Sequence, residues 1–186
     1  MGALESVFAL VCGQCLTRTW APGGELLPCC QRCTGFFAGA AVAIILQLVL
    51  RMRPTARFLQ VHGLFLLIMV PLGFHWVPHA AVVRTLSGIL YGFGVVSFLW
   101  LLPLERLRRV NEFDTRRLRV YVGSLLASLV LVPAVAVWGG RWAAWLLAGT
   151  ALAGLAGIAA LALVNVGLWL AWLVSRFKLS RLRPAP

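Results

Sequence analysis

The feature that most limits what this chain can become is a series of long apolar runs almost free of charge. They cover about 34–50, 58–76, 80–102, 120–138 and 142–175. Each is continuous rather than alternating, and each reaches the roughly 17–25 residues that a membrane-spanning helix needs. Only helices and closed barrels satisfy every backbone N–H and C=O in lipid, and continuous apolarity selects the helix. The expectation is an all-α, polytopic helical membrane protein with about five transmembrane helices in residues 34–186. A short N-terminal Cys-rich extramembrane segment, residues 1–33, precedes them. With 61% hydrophobic residues the chain lies well above the near-half of a soluble domain, so no separate soluble domain is expected.

Polar punctuation sets the boundaries. Arg51 and Arg53-Pro54 close the first run, the turn His75-Trp76-Val77-Pro78-His79 closes the second, and Pro103 ends the third. Pro133 is expected to kink the fourth rather than end it. Gly139-Gly140-Arg141 forms the next turn. The last run is 34 residues long, about 51 Å as a helix, and could be one helix or a hairpin. Trp142 and Trp145 near its start and Trp169 and Trp172 near its end suit interfacial belts about 36 Å apart. No turn signal lies between them, Gly154 and Gly157 being isolated and Asn165 alone, so one tilted helix is the expectation. Gly35–Gly39 and Gly88–Gly92 are both GxxxG patterns, and close packing of the first span on the third is favoured over dimerisation.

The net charge of +12 points to lipid rather than to nucleic acid, because no basic run accompanies a nucleic-acid-binding motif. Five spans place Arg51, Arg53, Arg57, Arg106, Arg108, Arg109, Arg116, Arg117, Arg119, Arg176, Lys178, Arg181 and Arg183 on one side. Arg18, Arg32, Arg84 and Arg141 fall on the other, a split of 13 to 4. The positive-inside rule then puts the C-terminus in the cytoplasm and the N-terminus with its cysteine stretch outside, at the periplasmic or extracellular surface. The segment 104–119 is expected to be an amphipathic stretch at the lipid surface, with Glu105 and Arg109 at i,i+4 spacing. Met1–Ser6 lacks the basic region of a signal peptide, no small residue precedes Cys12 or Cys15 as a lipoprotein box requires, and the loose myristoylation match at Gly2 is short.

All five cysteines fall between Cys12 and Cys33, as the pairs Cys12/Cys15 and Cys30/Cys33 with Cys29 left over. Two C-x2-C knuckles separated by 14 residues approach the spacing of a tetrathiolate metal site. Each knuckle puts two sulfurs on one side of a turn, and the turn-rich TWAPGGELLP between them lets the knuckles meet. Zinc is the default occupant and iron the other. Arg18 and Glu25 are polar groups available around the ligands. The competing reading is redox chemistry or structural disulfides, since an outward-facing site is oxidising and a helix N-terminus after Cys30 and Cys33 activates thiols. Cys29 reads as a small apolar residue. His75 and His79 lie on the cysteine side, either near the site or as interfacial polar residues. His62 reads as a polar residue at the opposite helix end. Arg84, one turn into the third span, either snorkels or pairs with Glu25 or with a ligand at the cysteine site.

At these residues the sequence resembles a family of small prokaryotic membrane proteins designated domain of unknown function 2085. Cys12 and Arg18 match its C-H-x4-R-S motif, with Thr19 a conservative change; Pro28, Cys30, Arg32, Cys33, Thr34 and Gly35 match its P-x-C-x-R-C-T-G entry into a span; Arg84, Ser87 and Gly88 fit a later R-x-x-T/S-G pattern. The resemblance covers about 12–102, marks Arg32 and Arg84 as site candidates, and implies placement in a membrane without implying an activity. Where the family has histidine after the first cysteine this chain has Gly13, while Cys15 lies two residues on. The resemblance thus implies a three-cysteine, one-histidine set rebuilt as four cysteines, an exchange that zinc tolerates.

Three functions follow from this reading. They are a metal-binding accessory or scaffold protein, a membrane thiol–disulfide oxidoreductase, and a structural small subunit bound to other membrane subunits. No nucleophile–base set stands out in the spans, so whether the chain is an enzyme stays open.

Overall fold

At Arg51 the backbone turns left-handed (φ 45, ψ 39) and its N–H closes the last turn on Gln47, which ends the first long helix. Such turns divide the chain into a helical bundle. The computed structural model describes residues 2–74, 76, 78–106 and 111–181. Its helices are α1 (Gly2–Ala9), α2 (Gln31–Leu50), α3 (Ala56–Gly73), α4 (Ala81–Leu99), α5 (Leu101–Arg106), α6 (Thr115–Trp138) and α7 (Arg141–Arg181). Among the described residues, five helices are long and apolar enough to cross a membrane: α2, α3, α4 continued by α5, α6 and α7. The all-α expectation with five spans therefore holds.

The boundaries move where capping chemistry, not apolarity, decides them. α2 starts three residues before the apolar run, with Cys30 as its N-cap. Thr55 caps α3, its hydroxyl accepting from the Phe58 N–H at 3.2 Å. α6 starts at Thr115, so Arg116, Arg117 and Arg119 occupy its first turns. The last apolar run is one uninterrupted helix, as the tryptophan spacing suggested. The third run is broken near Trp100. There the Leu99 carbonyl has lost its helical partner, because Pro103 carries no N–H. Asn165 Nδ2 on α7 donates to that oxygen at 2.8 Å, which explains an amide that looked isolated in the sequence. The Glu105–Arg109 spacing falls partly on residues outside the described set.

Glycines bring α2 and α4 into backbone contact. A Cβ on Gly35 would overlap the Thr85 carbonyl, one on Gly39 would lie 2.7 Å from the Ile89 oxygen, and Cβ atoms on Gly88 and Gly92 would overlap the Arg32 and Phe36 carbonyls. Both GxxxG patterns thus pack on each other within the chain, without hydrophobic drive between helices in lipid. α7 closes on α2 by the same device, Gly154 sitting against the Phe37 carbonyl. Around these contacts Phe93, Ile89, Val96 and Tyr121 form the main core.

Two polar ties cross this core. His62 Nδ1–H donates to the Phe58 carbonyl at 2.8 Å, so Nε2 accepts from the Tyr121 hydroxyl, also at 2.8 Å. The Ser97 hydroxyl lies 3.3 Å from the same phenol. His62 is thus a buried link between α3, α4 and α6, not the helix-end polar group its position suggested. At that end of the bundle Asn111 pins the connection after α5 to the one after α2, through bonds to Arg51, Arg53 and Leu50 of 2.8–3.0 Å. The N-terminal segment, the start of α4 and the α6–α7 turn gather at the opposite end.

Candidate metal centre

The N-terminal segment is a folded cap, and the local chain explains why. α1 is anchored by Phe8, which is fully buried against Phe37 with ring centroids 5.6 Å apart. The Cys12 N–H still bonds back to the Phe8 carbonyl at 2.8 Å, so the first cysteine leaves directly from the helix end. Gln14 then takes a left-handed conformation (φ 42), uncommon for a residue with a Cβ. Its amide Nε2 ties the turn down, donating to the Glu5 and Pro28 carbonyls at 2.6 and 3.0 Å.

Thr19 then pairs with Cys30 as an isolated antiparallel bridge, which draws the second knuckle beside the first. Trp20 Nε1 donates to Thr85 Oγ1 on α4 at 2.9 Å, and that hydroxyl donates to the Gln31 carbonyl at 3.2 Å. Gly23, at φ 61, sits against the Gly140–Arg141 backbone, where a Cβ would overlap. Glu25 pairs with Arg141 at 2.8 Å, both partly exposed. Of the readings left open for Arg84, pairing with Glu25 is not the one that forms.

These constraints bring the sulfurs of Cys12, Cys30 and Cys33 within 4.8 Å of one another. A tetrahedral metal with sulfur at 2.3 Å needs sulfurs about 3.8 Å apart, so ligation requires a contraction of at most about 1 Å. The cluster sits on the N-terminus of α2, with Cys30 at the N-cap and Cys33 in the first turn, where the positive end of the helix favours thiolate. The backbone N–H groups of Cys30 and Gln14 point at Cys12 Sγ from 3.4 and 3.5 Å. Hydrogen bonds from the Cys30 and Cys33 thiols, joined by these two N–H groups, hold Cys12 well below the ordinary thiol value against the opposing effect of burial. Cys30 is raised, chiefly because its thiol is the donor to Cys12. The arrangement favours one thiolate cradled by donors, the species that captures a soft cation.

Cys15 stands apart from this trio. It is exposed, and its sulfur lies 3.2 Å from the Thr17 hydroxyl, which holds its thiol below the usual value. The left-handed turn at Gln14 is what separates it from Cys12. Cys29 is 1% exposed, 3.4 Å from Thr34 Oγ1, and burial pushes its thiol up to about 12. It behaves as the small apolar residue the sequence suggested.

The remaining candidates form a basic fringe. A cavity of about 140 Å³ beside the cluster is lined by Gly13, Gln14, Cys15, Arg18, Cys30, Arg32 and Arg84. Arg84 Nη1 donates to Gln31 Oε1 at 3.1 Å. Arg32 Nη2 donates to the Leu72 carbonyl at 2.7 Å and to His79 Nε2 at 3.0 Å. His79 therefore accepts from an arginine instead of facing the sulfurs, and His75 lies outside the described residues. The sequence reading missed Gln14, Gln31 and Thr85, which position this site. The only local signal was polar side chains crowded around a span entrance.

Residues 12–98 match the family model described as Predicted membrane protein (DUF2085), so the resemblance carried by the cysteine and arginine motifs extends through α3 and most of α4. No curated protein and no solved structure matches the chain.

Proposed function

We propose that this membrane protein holds one zinc ion, with iron as the other candidate, at Cys12, Cys30 and Cys33, and that Cys15 completes the tetrahedron. The observation that carries this reading is the convergence of three sulfurs on one helix N-terminus. A disulfide uses two sulfurs and leaves the third idle, whereas a metal uses all three. Cys15 borders the same cavity as Cys30, and its exposed thiol is the fourth ligand this reading assigns. A closed four-sulfur site is structural rather than catalytic, which makes the chain an accessory or scaffold unit for other membrane subunits.

Metal analysis of the full chain, purified under reducing, chelator-free conditions with added zinc, tests the reading. About one metal per chain is expected, with thiols that react slowly until a chelator is added. Metal-free protein under those conditions refutes it.

A second reading rests on Cys30 at the N-cap and Cys33 one turn on, an arrangement suited to thiol–disulfide exchange. Mixed disulfides trapped with Cys33→Ser in metal-free protein would favour it.

Orientation follows from the bundle ends. Arg51, Arg53, Arg57, Arg116, Arg117 and Arg119 flank the end opposite the cysteines, so the cysteine cap is taken to face outward and the C-terminus the cytoplasm. Reporter fusions at the C-terminus and beside Glu112 should both read cytoplasmic. A periplasmic signal from either reverses the assignment.

A further inference from the structure

The basic fringe of the thiol cluster is built for more than holding a metal. Arg18, Arg32 and Arg84 line one cavity of about 140 Å³. No carboxylate lines it. Glu25 is engaged by Arg141, Glu105, Glu112 and Asp114 belong to the opposite end of the bundle, and Glu5, although at this end, does not border the cavity. The acceptors described above for Arg32 and Arg84 are neutral: a glutamine amide oxygen, a backbone carbonyl and an imidazole. These bonds orient the two guanidiniums without neutralising them. The Nε atoms of both are buried and have no hydrogen-bond partner among the described residues. The backbone hydrogen bonds to Cys12 Sγ come from Gln14 and Cys30, so the thiolate has its own donors.

Arg32 and Arg84 are half-buried guanidiniums whose described acceptors are neutral, and an anion in the cavity they line would offset their charge. Guanidinium forks suit oxyanions, to which they donate in pairs. We propose that this cavity binds the doubly charged oxyanion of a phosphate group, its oxygens shared among Arg18, Arg32 and Arg84. The phosphate can arrive free from the aqueous phase or as the phosphomonoester headgroup of a membrane lipid. The site stands on the arginines and does not require the metal.

Calorimetric titration of the purified full chain with inorganic phosphate tests the free source. Thermal unfolding in phosphatidylcholine nanodiscs with and without phosphatidic acid tests the lipid source. Saturable phosphate binding is expected, or else stabilisation by phosphatidic acid, and Arg18→Gln and Arg84→Gln should each weaken it at least about 10-fold. Arg141→Gln, outside the cavity, should leave it unchanged. Arg18 is exposed, so its variant keeps the fold should Arg84→Gln fail to fold. Indifference to both probes overturns the proposal, as does wild-type binding by Arg18→Gln. Metal content measured on the same samples separates the two readings: anion binding without metal sinks the metal site alone, and metal without anion binding sinks this one alone.

Discussion

Gly88→Leu is expected to leave no stably folded protein, and Gly88→Ala to lose at least about 3 kcal/mol of stability, the range reserved for substitutions that force a packed backbone apart. The reason is local and geometric. A Cβ at Gly88 would overlap the Arg32 carbonyl oxygen and lie 2.8 Å from the Phe36 nitrogen. Both belong to helix backbone, which cannot swing aside as a flexible side-chain tip would. The α2–α4 contact therefore has to open, and with it the entrance where Gln31, Thr85 and the second knuckle meet. Gly149→Leu is the control, because nothing lies within 4 Å of a Cβ built there. Unfolding in mixed detergent micelles, followed by circular dichroism, should separate the two variants. Equal stability would mean that the close α2–α4 approach is not what holds the bundle.

Cys12→Ser is expected to lose the metal outright, with affinity lowered by three orders of magnitude or more. The change removes the sulfur on which two backbone N–H groups and the neighbouring Cys30 and Cys33 converge, and a hydroxyl is a poor ligand for a soft cation. Cys29→Ala should keep full metal content, since that thiol is buried, protonated and turned to Thr34. Cys15→Ser is the graded case: it should weaken binding less than Cys12→Ser does, because a preformed trio of sulfurs remains. Elemental analysis with a competing zinc indicator measures all three. Metal retained by Cys12→Ser at the wild-type level would remove the trio from consideration.

The fringe was less legible than the cysteines. Arg18, Arg32 and Arg84 are separated by 14 and 52 positions, and nothing in their spacing shows that they share a cavity. His79, read either as near the site or as an interfacial polar residue, serves as acceptor for Arg32. α1 was invisible as structure, because an eight-residue helix has little intrinsic stability and is held here by the burial of Phe8.

What the sequence determined by itself is what depends on sums over neighbouring residues. Twenty apolar positions in a row exclude every spanning structure but a helix, so the five spans, the unbroken α7 and the pairing of two GxxxG patterns were all readable from the chain. What only the tertiary structure decided depends on single dihedral angles and single distant partners. The left-handed Gln14 parts Cys15 from Cys12, and the Thr19–Cys30 bridge lays one knuckle on the other. Asn165 answers a carbonyl stranded by Pro103, and His62 meets Tyr121 across 59 residues of chain. Hydropathy is additive along the chain and survives averaging. A hydrogen bond or a cluster of sulfurs depends on ångström-scale placement of groups from different helices, which no local window contains.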